Sequence, residues 1–241
     1  MNIKSLFCLV FSMTLLFACQ SKTNTREIEE ATDQCVNHKQ NLLTEMSKEN
    51  LNGFSWMNTP ESFSLANNAL QISPKANSDY FNDPASGKIT GSAPMLFKAV
   101  AGDFVATAKV KPNFNDIWNA CALMVYQDST FWGKLCFENS DATGPSVVTV
   151  VTKETSDDSN GPVIHDQKSI WLRIARKDDL YAMYWSLDGI DYKMARLFSL
   201  PQCDSIKIGM VAQCPAGVSV IHEFNYLSFE KKTLKDMRKG I

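Results

Sequence analysis

Two kinds of residue alternate between positions 131 and 138: Phe131, Leu135 and Phe137 on one parity, Trp132, Lys134, Cys136 and Glu138 on the other. An extended chain sends successive side chains to opposite faces, so the spacing predicts a core face and a second face bearing an indole, an ammonium and a carboxylate. Such a set suits a polyhydroxylated ligand, which takes an apolar plane for stacking and planar hydrogen-bonding groups at the rim. Positions 169–176 repeat the pattern, with Ile170, Leu172 and Ile174 alternating with Trp171, Arg173 and Ala175. Trp185 and Arg196 are further candidates, and Tyr184 must point opposite to Trp185. The plainer alternative is a solvated sheet face on which Lys and Arg stems cover the indoles.

A second group, Asp157, Asp158 and Asn160 before Gly161, lies in a polar stretch. Adjacent carboxylates there suit a turn, or oxygen ligands for calcium, although the full EF-hand spacing is missing. No other cofactor is expected. The three histidines are His38, His165 and His222, and none lies in a nucleophile pattern. His222, between Val220 and Phe224 at period two, reads as a satisfied strand histidine; His165 next to Asp166 reads as a loop residue. Cys35 and His38 sit three apart without further metal ligands nearby. No nucleophile elbow, P-loop or dinucleotide glycine pattern occurs.

The elements that must position these residues are short apolar runs separated by turn residues, the pattern of an all-β sandwich or barrel. Candidate strands are 63–72, 95–100, 104–110, 120–126, 131–138, 147–152, 169–176, 180–186, 192–197, 205–213 and 218–229. Asp188-Gly189 marks the sharpest hairpin. A hairpin around residues 127–130 sets Tyr126 against Phe131 and therefore Cys121 against Cys136, close enough for a disulfide; two free buried thiols are the alternative. Cys203 and Cys214 lie at opposite ends of one strand and cannot bond to each other.

The chain has 241 residues, 24 Lys+Arg against 26 Asp+Glu, 44% hydrophobic and 10% aromatic residues, and seven cysteines. This excludes a wholly disordered chain and a basic nucleic-acid binder. Lys4 precedes an apolar run from Leu6 to Phe17, the charged start and short core of a secretory signal, shorter than the about 20 residues of a membrane span. It ends in Leu16-Phe17-Ala18-Cys19, which resembles the lipobox of bacterial lipoproteins, with cleavage before Cys19 and lipid on its thiol. Residues 1–18 are thus expected to be removed, 19–50 to form a polar tether, part helical, 51–230 a single domain, and 231–241 a basic tail. Gln20 after the lipidated cysteine favours delivery to the outer membrane, on the periplasmic or the surface side.

From Phe131-Trp132-Gly133-Lys134-Leu135-Cys136-Phe137-Glu138 through residues 147–152 and 155–160, the chain resembles the bacterial DUF1349 family, which is related to the yeast regulator of enolase. Trp171-Leu172-Arg173-Ile174, Tyr184-Trp185-Ser186-Leu187-Asp188-Gly189, Arg196, Gly209-Met210-Val211-Ala212-Gln213, Pro215 and Phe224 continue the resemblance in order. Cys121 replaces a usual glycine, Ser159 a frequent cysteine and Tyr192 a frequent tryptophan. The resemblance implies a concanavalin A-like antiparallel β-sandwich, or jelly roll. Glucanases of that fold carry Glu-x-Asp-x-x-Glu on one strand, and no such triplet occurs here.

These readings converge on a lipid-anchored module of the cell envelope that binds carbohydrate without catalysis. The expected ligand-binding residues are Trp132, Lys134, Glu138, Asp157, Asp158, Asn160, Arg173 and Arg196. A protein-interaction or regulatory module, engaging an envelope protein, is the second expectation. A glycan hydrolase or lyase is the third. No nucleic-acid partner is expected.

Overall fold

The computed structural model describes residues 40–241. The signal segment, Cys8, Cys19, Cys35, His38 and the tether up to residue 39 lie outside the described residues. Among the described residues no helix is long and apolar enough to cross a membrane.

After one 3₁₀ turn (Leu42–Glu45) the chain is built of strands: β1 (Ser55–Met57), β2 (Ser62–Ala66), β3 (Ala69–Ser73), β4 (Tyr80–Asn82), β5 (Ile89–Gly91), β6 (Met95–Ala101), β7 (Phe104–Lys111) and β8 (Ala120–Tyr126). There follow β9 (Phe131–Ser140), β10 (Gly144–Lys153), β11 (Thr155–Val163), β12 (Ile170–Lys177), β13 (Leu180–Ser186), β14 (Lys193–Ser199), β15 (Ser205–Gln213) and β16 (His222–Glu230). Two seven-stranded antiparallel sheets result, ordered β1-β6-β15-β8-β9-β10-β11 (the first sheet) and β14-β13-β12-β7-β16-β3-β2 (the second sheet). The small β4–β5 pair stands apart.

Period-two alternation builds the core. Leu123, Leu135, Phe137, Val147 and Met210 of the first sheet pack with Leu70, Val110, Leu172, Ile174, Met183, Trp185 and Phe224 of the second. The expected all-β sandwich is therefore present, with Trp185 in its interior and Tyr184 on the outer face of the second sheet.

Four local expectations are corrected. The run 63–72 is a hairpin, because Asn67 and Asn68 adopt φ of 52° and 60°, the left-handed geometry of a tight two-residue turn. The polar stretch 155–160 is not a loop: it forms most of edge strand β11, paired to β10 from Lys153↔Thr155 to Ser146↔Val163. The last strand begins at His222 rather than at residue 218.

The fourth concerns the thiols. In the β8–β9 hairpin Tyr126 faces Trp132, so Cys121 faces Phe137 and Ala122 faces Cys136. Asp128 accepts from the backbone N–H groups of Thr130 and Phe131, which draws Phe131 into the turn and moves the pairing by one residue. A one-residue shift reverses the face of every partner. Cys121 thus lies in the intersheet core and Cys136 on the outer face of the first sheet, both as free thiols, and no disulfide joins them.

Both ends of the described chain dock on the second sheet's strands. Asn41 Oδ1 accepts from Leu227 N–H at 3.1 Å, and Leu43 and Met46 enter the core, so the segment from Asn41 is already part of the packed domain. In the tail, Leu234 and Met237 pack with Val105, Ala175, Ala182 and Tyr184 on the second sheet's outer face.

Candidate functional site

The outer face of the first sheet carries a second cluster of side chains, Trp132, Cys136, Ala122, Met124, Val148, Val150 and Val211, capped by Tyr80 of the β4–β5 pair. Asn82 holds this cap down: its N–H donates to Ser156 Oγ (2.8 Å), and its amide donates to the carbonyls of Ser129 and Glu154 (both 2.9 Å). Trp132 packs edge-on to Tyr80 with ring centroids 6.2 Å apart and is only 1% exposed. Strand parity sends Trp132 to the expected face, but Tyr80 covers it, so it offers no stacking platform.

Beside this cap the outer face opens into a cavity of about 310 Å³, lined among others by Asp79, Trp118, Lys134, Glu138, Asp158 and Gln213. Lys134 is 2% exposed and forms its floor. Its ammonium donates to Asp79 Oδ1 (3.1 Å), the Tyr80 carbonyl (2.9 Å) and Gln213 Oε1 (2.8 Å), which uses all three N–H groups. Burial pulls the Lys134 pKa down, yet the Asp79 carboxylate beside it, with Glu138 in support, outweighs burial and the net direction is upward.

Gln213 is the second organiser. Its amide N–H₂ donates to the Trp118 carbonyl (3.0 Å) and to Glu138 Oε2 (3.3 Å). Its backbone carbonyl accepts from His222 Nε2–H (3.0 Å), a tautomer fixed because His222 Nδ1 accepts from Asn113 N–H (3.2 Å). His222 is a satisfied strand histidine, as its sequence context suggests, and burial lowers its pKa to about 4.

Glu138 is 7% exposed, and the Gln213 amide gives it its one hydrogen bond among the described residues. Burial raises its pKa to about 7; Lys134 opposes the rise, while the carboxylates of Asp79, Asp158 and Asp141 reinforce it. A carboxyl group that holds its proton near neutrality inside a cleft is a signature of functional sites.

The strands distribute the remaining expected residues as follows. Val150 pairs with Asp158 and Val148 with Asn160, which places both β11 side chains in the cavity. Asp157 points the other way and pairs with Arg196 (2.7 Å), whose guanidinium also donates to the Asp157 carbonyl (3.2 Å). Asp157, Asp158 and Asn160 therefore do not form one oxygen set for calcium, and no cluster of three or more His, Cys, Asp or Glu side chains suited to a metal exists among the described residues. Arg173 lies on the second sheet, 3.4 Å from the Tyr192 ring and donating to Thr107 Oγ1 (3.2 Å). The site thus gathers Lys134, Glu138, Asp158 and Asn160 and leaves out Trp132, Asp157, Arg173 and Arg196.

Sequence reasoning missed Asp79, Trp118, Asp141 and Gln213. Gln213 shares the parity of Val211 and was legible from strand β15; Asp79 and Trp118 come from loops, where no periodicity reports direction. Trp118 is 39% exposed at the cavity and has a φ of 62°. A bulky residue in left-handed geometry carries local strain, a feature that concentrates at functional sites.

Two face-to-face antiparallel sheets, with a polar cavity on the outer face of one, define an all-β sandwich of the concanavalin A-like class. The chain belongs to the family described as "Protein of unknown function (DUF1349)", whose model matches residues 56–232. A solved Saccharomyces cerevisiae protein, described as functionally unknown, is similar with a TM-score of 0.70 and 21% identity, covering 75% of this chain and 97% of its own. The GH43 BlXynB protein from Bacillus licheniformis aligns with a TM-score of 0.59 and 10% identity over 78% of this chain and 38% of that one. A xylan beta-1,4-xylosidase from Bacillus halodurans aligns at 0.56 and 13% over 70% and 34%. The chain thus spans little more than a third of these two proteins, and at such identities the likeness concerns the fold alone. No curated protein sequence matches the chain.

Proposed function

We propose that this protein is a carbohydrate-binding module whose site is the cavity on the outer face of the first sheet. One observation carries the reading: a floor of Lys134, Gln213 and Glu138, joined by hydrogen bonds through Gln213, lies under an open space edged by an exposed tryptophan and by Asp158 and Asn160. Planar polar groups beside an exposed ring suit a sugar's hydroxyls and apolar face. The GH43 protein and the xylosidase, named for glycan chemistry, support the choice of ligand class by fold. In a glycan array probed with the protein, Trp118→Ala and Asp158→Ala should each abolish retention of whichever glycan the unmodified protein holds. Retention unchanged in both variants would remove this cavity as the site.

The neutral-range proton on Glu138 favours a second reading, a glycan-cleaving enzyme with Glu138 as the acid. Product release from the array ligand, abolished in Glu138→Gln, separates this reading from binding alone.

The sequence Leu16-Phe17-Ala18-Cys19 supports a lipid anchor on Cys19 and an address in the bacterial envelope, with Gln20 favouring the outer membrane. Incorporation of labelled palmitate that survives Cys19→Ala would refute the anchor.

A further inference from the structure

The donors and acceptors of the cavity are strongly unbalanced. Among the described residues Lys134 is the only cationic side chain lining it, and its three N–H groups are committed to Asp79, Tyr80 and Gln213. Both amide N–H groups of Gln213 are committed to Trp118 and Glu138. Ser140 Oγ donates to Asn160 Oδ1 at 2.6 Å, so its hydroxyl proton is also taken. The open side-chain donors that remain among the described residues are the Trp118 indole, the Asn160 amide and the carboxyl proton of Glu138.

Acceptors are plentiful by contrast. Asp79, Glu138, Asp141 and Asp158 all line the cavity, four carboxyl groups against one ammonium. Glu138, more than nine-tenths buried, keeps Oε1 without a partner among the described residues and faces the space. A ligand that fits must bring hydrogen-bond donors and positive charge, whereas a uronic or other acidic sugar would meet carboxylates with no free cation to receive it.

Resting on the carbohydrate reading above, we infer that the cavity selects an amino sugar, with the ligand's protonated primary amine directed at Asp141 and Asp158 and its ring against Trp118. A charged hydrogen bond from an ammonium to these carboxylates is available only to the free amine; N-acetylation removes the charge and adds an acceptor to an acceptor-rich wall.

The test is isothermal titration of the full-length protein at pH 6 with three probes: a glucosamine tetrasaccharide, its fully N-acetylated counterpart, and cadaverine, a diamine without a sugar ring. The amine tetrasaccharide should bind at least tenfold tighter than the acetylated one. Asp141→Asn combined with Asp158→Asn should remove that preference, with an unchanged thermal midpoint certifying the fold. Equal binding of the two tetrasaccharides, or a preference for the acetylated one, overturns the amine selectivity and leaves the carbohydrate reading standing. Cadaverine binding as tightly as the amine tetrasaccharide overturns the amino-sugar assignment together with the carbohydrate reading, since the ring is then not recognised. Binding of none of the three also overturns both.

Discussion

The outer faces of the two sheets begin from the same alphabet. On the first, Trp132 shares a face with Lys134 and Glu138; on the second, Trp171 shares one with Arg173. Their fates differ because of what lies on top. The β4–β5 pair covers only part of the first face, leaving Glu138 and Lys134 under a cavity. On the second face Arg173 stacks on Tyr192, the Lys109 ammonium lies over Trp171, Trp171 packs edge-on to Tyr226, and Leu234 and Met237 press onto Tyr184. The lesson is that a charged and aromatic strand face is neutral about function; the covering segment decides whether its polar groups are consumed internally or offered to a ligand.

The contrast can be broken first at its two cations. Lys134→Ala leaves the Tyr80 carbonyl and Gln213 Oε1 without their donor and Asp79 without its ion pair, and should destabilise the protein by about 3 kcal/mol. Arg173→Ala on the sealed face should lose only about 1 kcal/mol, the range of a partly exposed cation–π contact. Urea unfolding of the two variants compares them, and equal losses would erase the distinction between a structural floor and a surface seal.

Next in size is a pair of opposed pH effects centred on Gln213. Glu138 keeps its proton in the folded state up to about pH 7, whereas its unfolded value is near 4.5, so stability falls by about 3 kcal/mol as pH rises across that interval. His222 stays neutral in the folded state down to about pH 4, whereas the unfolded ring takes a proton below 6.5, so stability falls by a similar about 3 kcal/mol as pH drops across that interval. Between pH 4.5 and 6.5 the two slopes cancel in the native protein. Glu138→Gln should unmask the His222 slope, with stability rising steadily from pH 4 to 6.5 in denaturant titrations. A native protein that already shows that full rise would deny Glu138 its proton.

The smallest of the three sharpens the sealed side. Leu234→Ala removes a buried side chain from the tail's contact and should lower stability by about 2 kcal/mol, while leaving ligand retention at the other face unchanged. A loss below about 0.5 kcal/mol in the same urea experiment would mean that the tail does not seal the second sheet.

Alternation made the faces of β9 and β12 readable, and with them the shared side of Lys134 and Glu138. It also made His222 readable as a strand residue. The pairing of β8 with β9 was not readable, because Asp128 adds a residue to the turn and nothing in the strands themselves opposes a shift by one. The cavity's outer wall was hidden for another reason: β11 is an exposed edge whose Ser, Asp and Asn composition signals a loop, and only hydrogen bonding to β10 makes it extended. Asp79 and Trp118 belong to loops positioned from a distance, Asp79 by Lys134 and the Trp118 carbonyl by Gln213.

The order of the strands governs how the domain can be made. Strand β7 pairs with β16, and β6 with β15, so each of these strands from the first half of the chain waits for one neighbour more than a hundred residues later. Pairing across such separations closes long loops before it gains contacts, and folds of this kind form in milliseconds to seconds rather than microseconds. The first sheet cannot be completed before β15 is made, nor the second before β16. A chain cut before residue 222 lacks the bridge between β7 and β3, so the second sheet is acquired only once β16 is present.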